Sequence, residues 1–216
     1  MQVSNEKILE ALWETLYMTG VSFLFSLVVG SILGLLLVVT RKGHLLENEP
    51  VSKVLNAIIN IFRSVPFIIL MVAIIPITRF IVGTSIGTAA AIVPLVFYAG
   101  PYIARLIENS LLEVDKGVIE AAQAMGASPI QIIFRFLIPE ALSSLVLALT
   151  IAIVGLIGAS AMAGAIGGGG LGDLAITYGY QRFDNILMLV TVAILVILVQ
   201  GVQSGGNLLS KQVRRR

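Results

Sequence analysis

The sequence predicts an all-α integral membrane protein with five transmembrane helices, its N-terminus outside the cell and its C-terminus in the cytoplasm. Hydrophobic residues make up 57% of the 216 residues and charged residues only 12%, with a mean hydropathy of +1.00. These values lie outside the range of soluble domains. Four uncharged stretches are each long enough to cross a bilayer, which takes about 20 apolar helical residues.

The uncharged stretches cover residues 15–40, 80–104, 141–172 and 185–210, and a fifth, 54–78, carries the single charge of Arg63. We therefore expect spans at about 15–40, 54–78, 82–106, 140–163 and 185–208. They form one transmembrane domain of residues 13–207, followed by a basic tail, 208–216.

Arg63 has two interpretations. Pro66 lacks a backbone N–H and should kink or restart the helix nearby. The simpler interpretation puts Arg63 at the membrane interface, where its side chain snorkels toward the head groups. The other makes it a functional charge inside the membrane.

The orientation follows from the positive residues near the span ends. Of the 14 lysines and arginines, all except Lys7, Arg79 and Arg182 fall on one side of the five predicted spans. Cytoplasmic loops carry such an excess. This side also holds a polar segment, residues 109–139, between the third and fourth spans.

The composition excludes several classes of function. The chain has no cysteine and one histidine, His44, which argues against a thiol catalyst or a metal centre, and its net charge of +2 is spread along the chain. We found no acidic residue inside a span and no nucleotide-binding motif. We therefore expect no catalytic residues, no directly bound cofactor or metal and no nucleic-acid partner. We expect the lipid bilayer to surround the chain, and any energy for its function must come from a partner unless the chain conducts passively.

The polar segment predicts two short helices. Ala, Glu, Gln and Met before residue 126 favour a helix, and Gly126 can end it with a positive φ. Ser128 and Gln131 have the spacing of a capping box that starts a second helix. Ile130, Phe134, Leu137 and Ile133 then form one apolar stripe. The small residues around Gly126 would leave the backbone accessible to a partner. A loop packed on its own spans is the alternative.

The polar segment contains the motif Glu120-Ala121-Ala122, followed by Gly126 and then by Phe136-Leu137-Ile138-Pro139. It resembles the EAA signature of bacterial ABC importer permeases, with a mild departure in the tail. In that family this segment is the coupling helix, which sits in a groove of the cytoplasmic ATPase. The resemblance implies ATPase-coupling roles for Glu120, Ala121, Ala122, Gly126 and Ala127.

Residues 60–70, 81–87, 164–176 and 178–183 look like the D/L-methionine uptake subfamily of these permeases. The resemblance implies a type I ABC importer permease fold in the bacterial inner membrane, importing methionine by alternating access. It also implies a separate ATPase dimer that binds ATP and Mg, and an extracytoplasmic substrate-binding protein. Five spans are too few to enclose an amino acid comfortably, so we expect a homodimer with the pathway on its two-fold axis.

Residues 164–172 contain six glycines. We expect a tight turn or re-entrant segment that closes the outer end of the pathway, with Ser160 and Met162 at an outer gate. A channel filter built from backbone carbonyls is the alternative.

Two other functions stay open. The same class of permease could import another amino acid or small solute, because no residue in the sequence can be identified as part of a methionine-binding pocket. A passive channel or secondary carrier would transport without ATP.

Overall fold

A computed structural model describes residues 3–214, so Arg215 and Arg216 of the predicted basic tail lie outside the described part of the chain. The described residues form ten α-helices joined in places by π-helical turns. The helices are α1 Asn5–Val39, α2 Glu49–Ser64, α3 Phe67–Ala73, α4 Ile75–Val82, α5 Thr88–Leu112, α6 Lys116–Ala124, α7 Pro129–Ile132, α8 Ile138–Ala163, α9 Gly170–Asp173 and α10 Asn185–Arg214.

Four helical stretches are long and apolar enough to cross a membrane: α1, α5, α7 together with α8 up to Gly168, and α10. A fifth is present if α2 and α3, which are bent by 102°, count as one span. The chain therefore has the predicted all-helical membrane architecture. The orientation of its termini stays a prediction.

Helix boundaries differ from those expected at the start of two spans and at the end of the last, where α10 continues to Arg214 through most of the predicted tail. Helix α1 begins at Asn5, well before residue 15, because Ser4 caps it there by accepting a bond from the Lys7 N–H. Helix α5 begins at Thr88 rather than at 82, because Gly83 and Gly87 have φ of +83° and +96°. These two glycines end α4 and turn the chain into α5.

The expected span 54–78 is three helices instead of one. Helix α2 ends at Ser64, and Val65 is extended with φ −84° and ψ 124°. The residue before a proline avoids the helical region, so Val65 and Pro66 together produce the predicted break. A second break at Ile74, just before Pro76, separates α3 from α4.

The core lies around α5, with α1 and α8 packed against it. Four small residues at a spacing of four line the buried side of α1, and they are Ser22, Ser26, Gly30 and Gly34. A Cβ on Gly30 would come within 2.6 Å of Ile103, and one on Gly34 within 2.7 Å of the Ala104 carbonyl oxygen. Such close helix approach is how small residues hold membrane helices together.

Candidate coupling segment and gate

The polar segment folds into the two predicted helices. Helix α6 starts where the Asp115 carboxylate accepts a hydrogen bond of 2.7 Å from the Gly117 N–H. Glu120 and Ala121 are exposed, as are Gln123 and Ala124. Helix α6 therefore presents one small, polar face outward.

Ala122 does not belong to that exposed face. Its side chain is completely buried, and Val118 and Ile119 on the same helix pack against the core around α5. The expectation that Ala122 would be accessible is wrong, because α6 is amphipathic and lies with this side against the protein. Ala122 can anchor the helix, but its side chain cannot meet a partner directly.

Gly126 ends α6 in a Schellman motif. Its φ is +77°, its N–H bonds the Gln123 carbonyl at 2.9 Å, and the Ala127 N–H bonds the Ala122 carbonyl at 3.1 Å. This pair of bonds satisfies carbonyls that a helix end would otherwise leave free. The predicted glycine joint is therefore present, and Gly126 itself is exposed.

The predicted capping box is also present. The Gln131 N–H donates to the Ser128 hydroxyl at 3.4 Å, and the Gln131 side chain accepts from the Ser128 N–H at 2.9 Å. Pro129 occupies the first helical position, where its missing N–H costs nothing. The angle between α6 and α7 is thus fixed by hydrogen bonds within the segment itself.

The expected apolar stripe after residue 129 is split between two surroundings. Ile133 and Leu137 are buried, whereas Ile130 and Phe134 are 69% and 62% exposed. Residues 133–137 form a π-helical turn just before Pro139. Ile133 and Leu137 therefore lie on the side of the helix that faces the core, and Ile130 and Phe134 lie on the adjoining side that faces outward.

The glycine segment is a compact turn folded back on α8. Gly167, Gly169 and Gly170 have φ of +94°, +78° and +76°. A Cβ on Gly172 would lie 2.1 Å from the Ala161 carbonyl oxygen, and one on Gly164 would lie 2.5 Å from the Asp173 nitrogen. The two ends of the turn therefore touch backbone to backbone, as expected of a tight turn.

Two other helices hold this turn, through residues that were not predicted from the sequence. Glu14 of α1 accepts a 2.6 Å hydrogen bond from the Gly170 N–H, and the adjacent Thr15 hydroxyl accepts one of 2.9 Å from Leu171. The Gly87 N–H, at the start of α5, donates to the Gly167 carbonyl at 2.8 Å. The position of Glu14 at the edge of the first uncharged stretch was the only available signal.

Ser160 and Met162 lie in different surroundings. Met162 is 54% exposed, whereas Ser160 is 1% exposed and donates its hydroxyl proton to the Ile157 carbonyl of its own helix at 2.8 Å. In this conformation only Met162 presents its side chain at the surface of the protomer. A cavity of about 160 Å³ lies beside the turn, between Thr78 of α4 and Ala91 of α5.

A polar cluster sits at the other end of α5. Arg105 donates to Asn56 and Asn60 of α2 at 3.0 Å each and forms an ion pair with Glu108, which Arg41 also approaches at 4.0 Å. Glu108 is only 4% exposed. Glu108 lies two residues beyond the expected end of the third span, and α5 continues past it to Leu112, so a buried acid belongs to the same helix as that span.

His44 lies in the loop after α1. Partial burial, and then the charges of Arg41 and Lys116, lower the pKa of its imidazole. Among residues 3–214, no three His, Asp or Glu side chains are grouped so as to hold a metal ion.

Several known proteins resemble this chain. Residues 26–214 match the model of the family described as binding-protein-dependent transport system inner membrane component. A probable D-methionine transport system permease protein MetI of Vibrio cholerae is 52% identical over 99% of this chain and 95% of that protein. Its counterpart in Pasteurella multocida is 49% identical over 94% of each chain.

The fold likewise matches solved structures. A chain of the MetNI methionine ABC transporter in an inward-facing conformation superposes with a TM-score of 0.94, at 49% identity, over 98% of this chain and 99% of that one. A second crystal form gives a TM-score of 0.95. With the spanning helices described above, the chain is a multi-pass protein of the bacterial inner membrane, and it belongs to the family of binding-protein-dependent transport system inner membrane components.

Proposed function

We propose that this chain is the membrane-spanning permease subunit of an ATP-driven importer of methionine. The observation that carries the proposal is the exposed, doubly capped helix pair α6–α7 in a chain that is otherwise built to lie in a membrane. An inter-span connection needs only a few residues, so a segment stabilised by its own caps is suited to docking. The relatives named above, with their D-methionine permease names, support methionine as the cargo.

The coupling partner is an ABC ATPase that binds ATP and Mg on its own residues. Glu120 and Ala121 offer the outward contacts of α6, and Gly126 and Ala127 form the rigid joint behind them. The buried Ala122 fixes α6 on the core, so that a movement of α6 is transmitted to the spanning helices.

Transport requires a two-state permease. Two copies of the chain enclose the pathway on a two-fold axis, and nucleotide binding draws the two coupling segments together. The state that opens outward then receives methionine from an extracytoplasmic binding protein. Each ligand shifts the population toward the state that it binds better.

The outer gate is formed at the end of α8. Met162 is exposed and unbranched, so it can repack as the gate opens and closes. Ser160 lies enclosed beneath it and supports the packing of this helix end rather than contacting the solute in the present conformation.

The energy source and the cargo can be tested in one transport experiment. In proteoliposomes that contain the chain with its ATPase and binding protein, uptake of labelled D- and L-methionine should require ATP hydrolysis. Uptake without ATP would indicate a channel or carrier, and uptake of another amino acid in place of methionine would change the cargo.

The coupling role has its own test. Glu120→Lys should reduce ATPase co-purification and methionine uptake together, because it reverses a charge on the outward face of α6. Glu10→Lys, the same change on an exposed glutamate near the start of α1, serves as the control. Equal effects of the two substitutions would contradict a specific contact at Glu120.

A further inference from the structure

The contacts of α2 put Arg63 near the middle of the membrane. The ring of the preceding residue, Phe62, lies 6.1 Å from the ring of Phe97, centroid to centroid. Phe97 is one residue from the middle of the uncharged part of α5, residues 88–104. At 1.5 Å per residue, Phe97 is roughly 12 Å from either end of that stretch, and Arg63 follows the residue that contacts it. This depth argues against the interfacial interpretation of Arg63.

An arginine at this depth needs water or an anion. A charged side chain that faces lipid at the bilayer centre is energetically unfavourable. Arg63 is exposed, and within residues 3–214 it has no ion-pair or hydrogen-bond partner. Its surroundings must therefore lie outside the protomer.

The distribution of polar and apolar side chains around α2 indicates what surrounds Arg63. At 100° per residue, all of its polar side chains fall within about a third of its circumference, and they are Glu49, Ser52, Lys53, Asn56, Asn60, Arg63 and Ser64. Leu55, Ile59 and Phe62 form a second face, packed on α1 and α5. Val54, Ile58 and Ile61 form a third face that is exposed and apolar, as lipid requires. A polar face distinct from the lipid face indicates a water-filled space.

The polar face leads to the end of α2 that carries the cationic cluster. Arg105 bonds both Asn56 and Asn60, and beyond them a cleft of about 530 Å³ opens. Four cations and two carboxylates line this cleft, and they are Arg41, Lys42, Lys53, Arg105, Glu49 and Glu108. The wall is therefore net positive from mid-membrane to this end of the helix.

We propose that this face of α2 lines the inner half of the translocation pathway, and that Arg63 and Asn60 bind the carboxylate of the transported amino acid there. The inference rests on the proposed function. The planar guanidinium matches a carboxylate with two parallel donors. The Asn60 carbonyl oxygen already accepts from Arg105, so its amide N–H₂ remains to donate to the same carboxylate. The net positive cleft continues this cationic wall toward the end of α2 where the helix begins.

Accessibility is tested with single thiols. The chain has no cysteine, so R63C, N60C and I61C each introduce one. In inside-out vesicles that contain the whole transporter, membrane-impermeant methanethiosulfonates should modify R63C and N60C but spare I61C, which lies on the lipid face. Protection of R63C, as expected if it faced lipid or were sealed against a second copy, would overturn the inference.

The carboxylate role is tested by charge. R63K should keep most methionine uptake, and R63Q should lose about tenfold or more, the size of a charge-assisted hydrogen bond. Modifying R63C with an ammonium-bearing reagent should restore uptake, whereas a sulfonate-bearing reagent should not. Equal uptake with either reagent would overturn carboxylate binding.

ATPase co-purification serves as the assembly control for all of these variants. If the unmodified transporter moved no amino acid, the proposed function would fail, yet the thiol labelling would still decide whether Arg63 faces water.

Discussion

The coupling segment and the glycine segment both turn the chain with glycines of positive φ, yet they need glycine for different reasons. At Gly126, an added Cβ would meet no atom of the described residues within 4 Å, so only the φ of +77° demands glycine. At Gly172 the φ is not positive, but a Cβ would lie 2.1 Å from the Ala161 carbonyl oxygen. The first turn requires glycine because of its backbone conformation, and the second requires glycine because of close packing.

The difference fits the proposed roles of the two segments. The coupling segment lies open on one side and is held by its own caps, so a partner can reach it. The glycine segment is pressed against α8 and is held by Glu14, Thr15 and Gly87 from two other helices. A change in the first should alter docking with modest loss of stability, whereas a change in the second should damage the fold.

The largest expected effect is that of Gly172→Ala. The methyl group collides with backbone that cannot rotate away, and overpacking of this kind costs about 1–3 kcal/mol or more. The thermal midpoint of the purified protein in detergent should fall clearly. Gly158→Ala on α8 is the matched control, because its Cβ would meet none of the described atoms within 4 Å. Equal midpoints for the two variants would contradict the packing requirement.

Gly126→Ala should have an intermediate effect. A left-handed conformation costs a residue with a Cβ about 1–2 kcal/mol, and this strain should reduce ATPase-coupled uptake more than it lowers the thermal midpoint. Gly43→Ala carries the same strain, with a φ of +79°, in the open loop after α1. The prediction fails if Gly43→Ala reduces uptake as much as Gly126→Ala does.

Ser128→Ala should cost about 1 kcal/mol of stability, because it removes the N-cap of α7. The loss should be local, so faster amide exchange at Gln131 and its neighbours is the measurement. Ser204→Ala, on the exposed surface of α10, is the control. Unchanged exchange at Gln131 would mean that the capping box does not hold this joint.

Ser160→Ala should have the smallest effect, within about 0.5 kcal/mol, because the hydroxyl bonds only a carbonyl of its own helix. Methionine uptake should stay near the wild-type rate. Met162→Ala removes an exposed gate side chain and should change uptake more. A strong loss of uptake with Ser160→Ala alone would indicate that Ser160 contacts the transported solute.

Local signals in the sequence predicted the parts that depend on neighbouring residues. The break at Pro66, the stop at Gly126 and the capping box of Ser128 and Gln131 all involve residues within a few positions of one another. Hydrogen bonds and φ preferences act at that range, so sequence alone could specify them. The uncharged stretches likewise predicted the spanning helices, although not their ends.

Other features could not be read from neighbours in sequence. Ala122 looks like its exposed neighbour Ala121, but the side of α6 that faces the core was decided by packing against distant residues. Glu108 lies at the start of the polar segment in sequence, yet it is buried and paired with Arg105 within α5. The apolar residues at 130–137 looked alike in sequence, but packing buried Ile133 and Leu137 and left Ile130 and Phe134 exposed.

The sequence by itself determined that this is a helical membrane protein with a capped polar segment between two spans, because hydropathy and capping are properties of short stretches. Only the tertiary structure decided that Phe62, next to Arg63, lies beside Phe97 of α5, since residues 35 positions apart meet there. Burial and depth arise from contacts between residues far apart in the chain, and no local pattern encodes them.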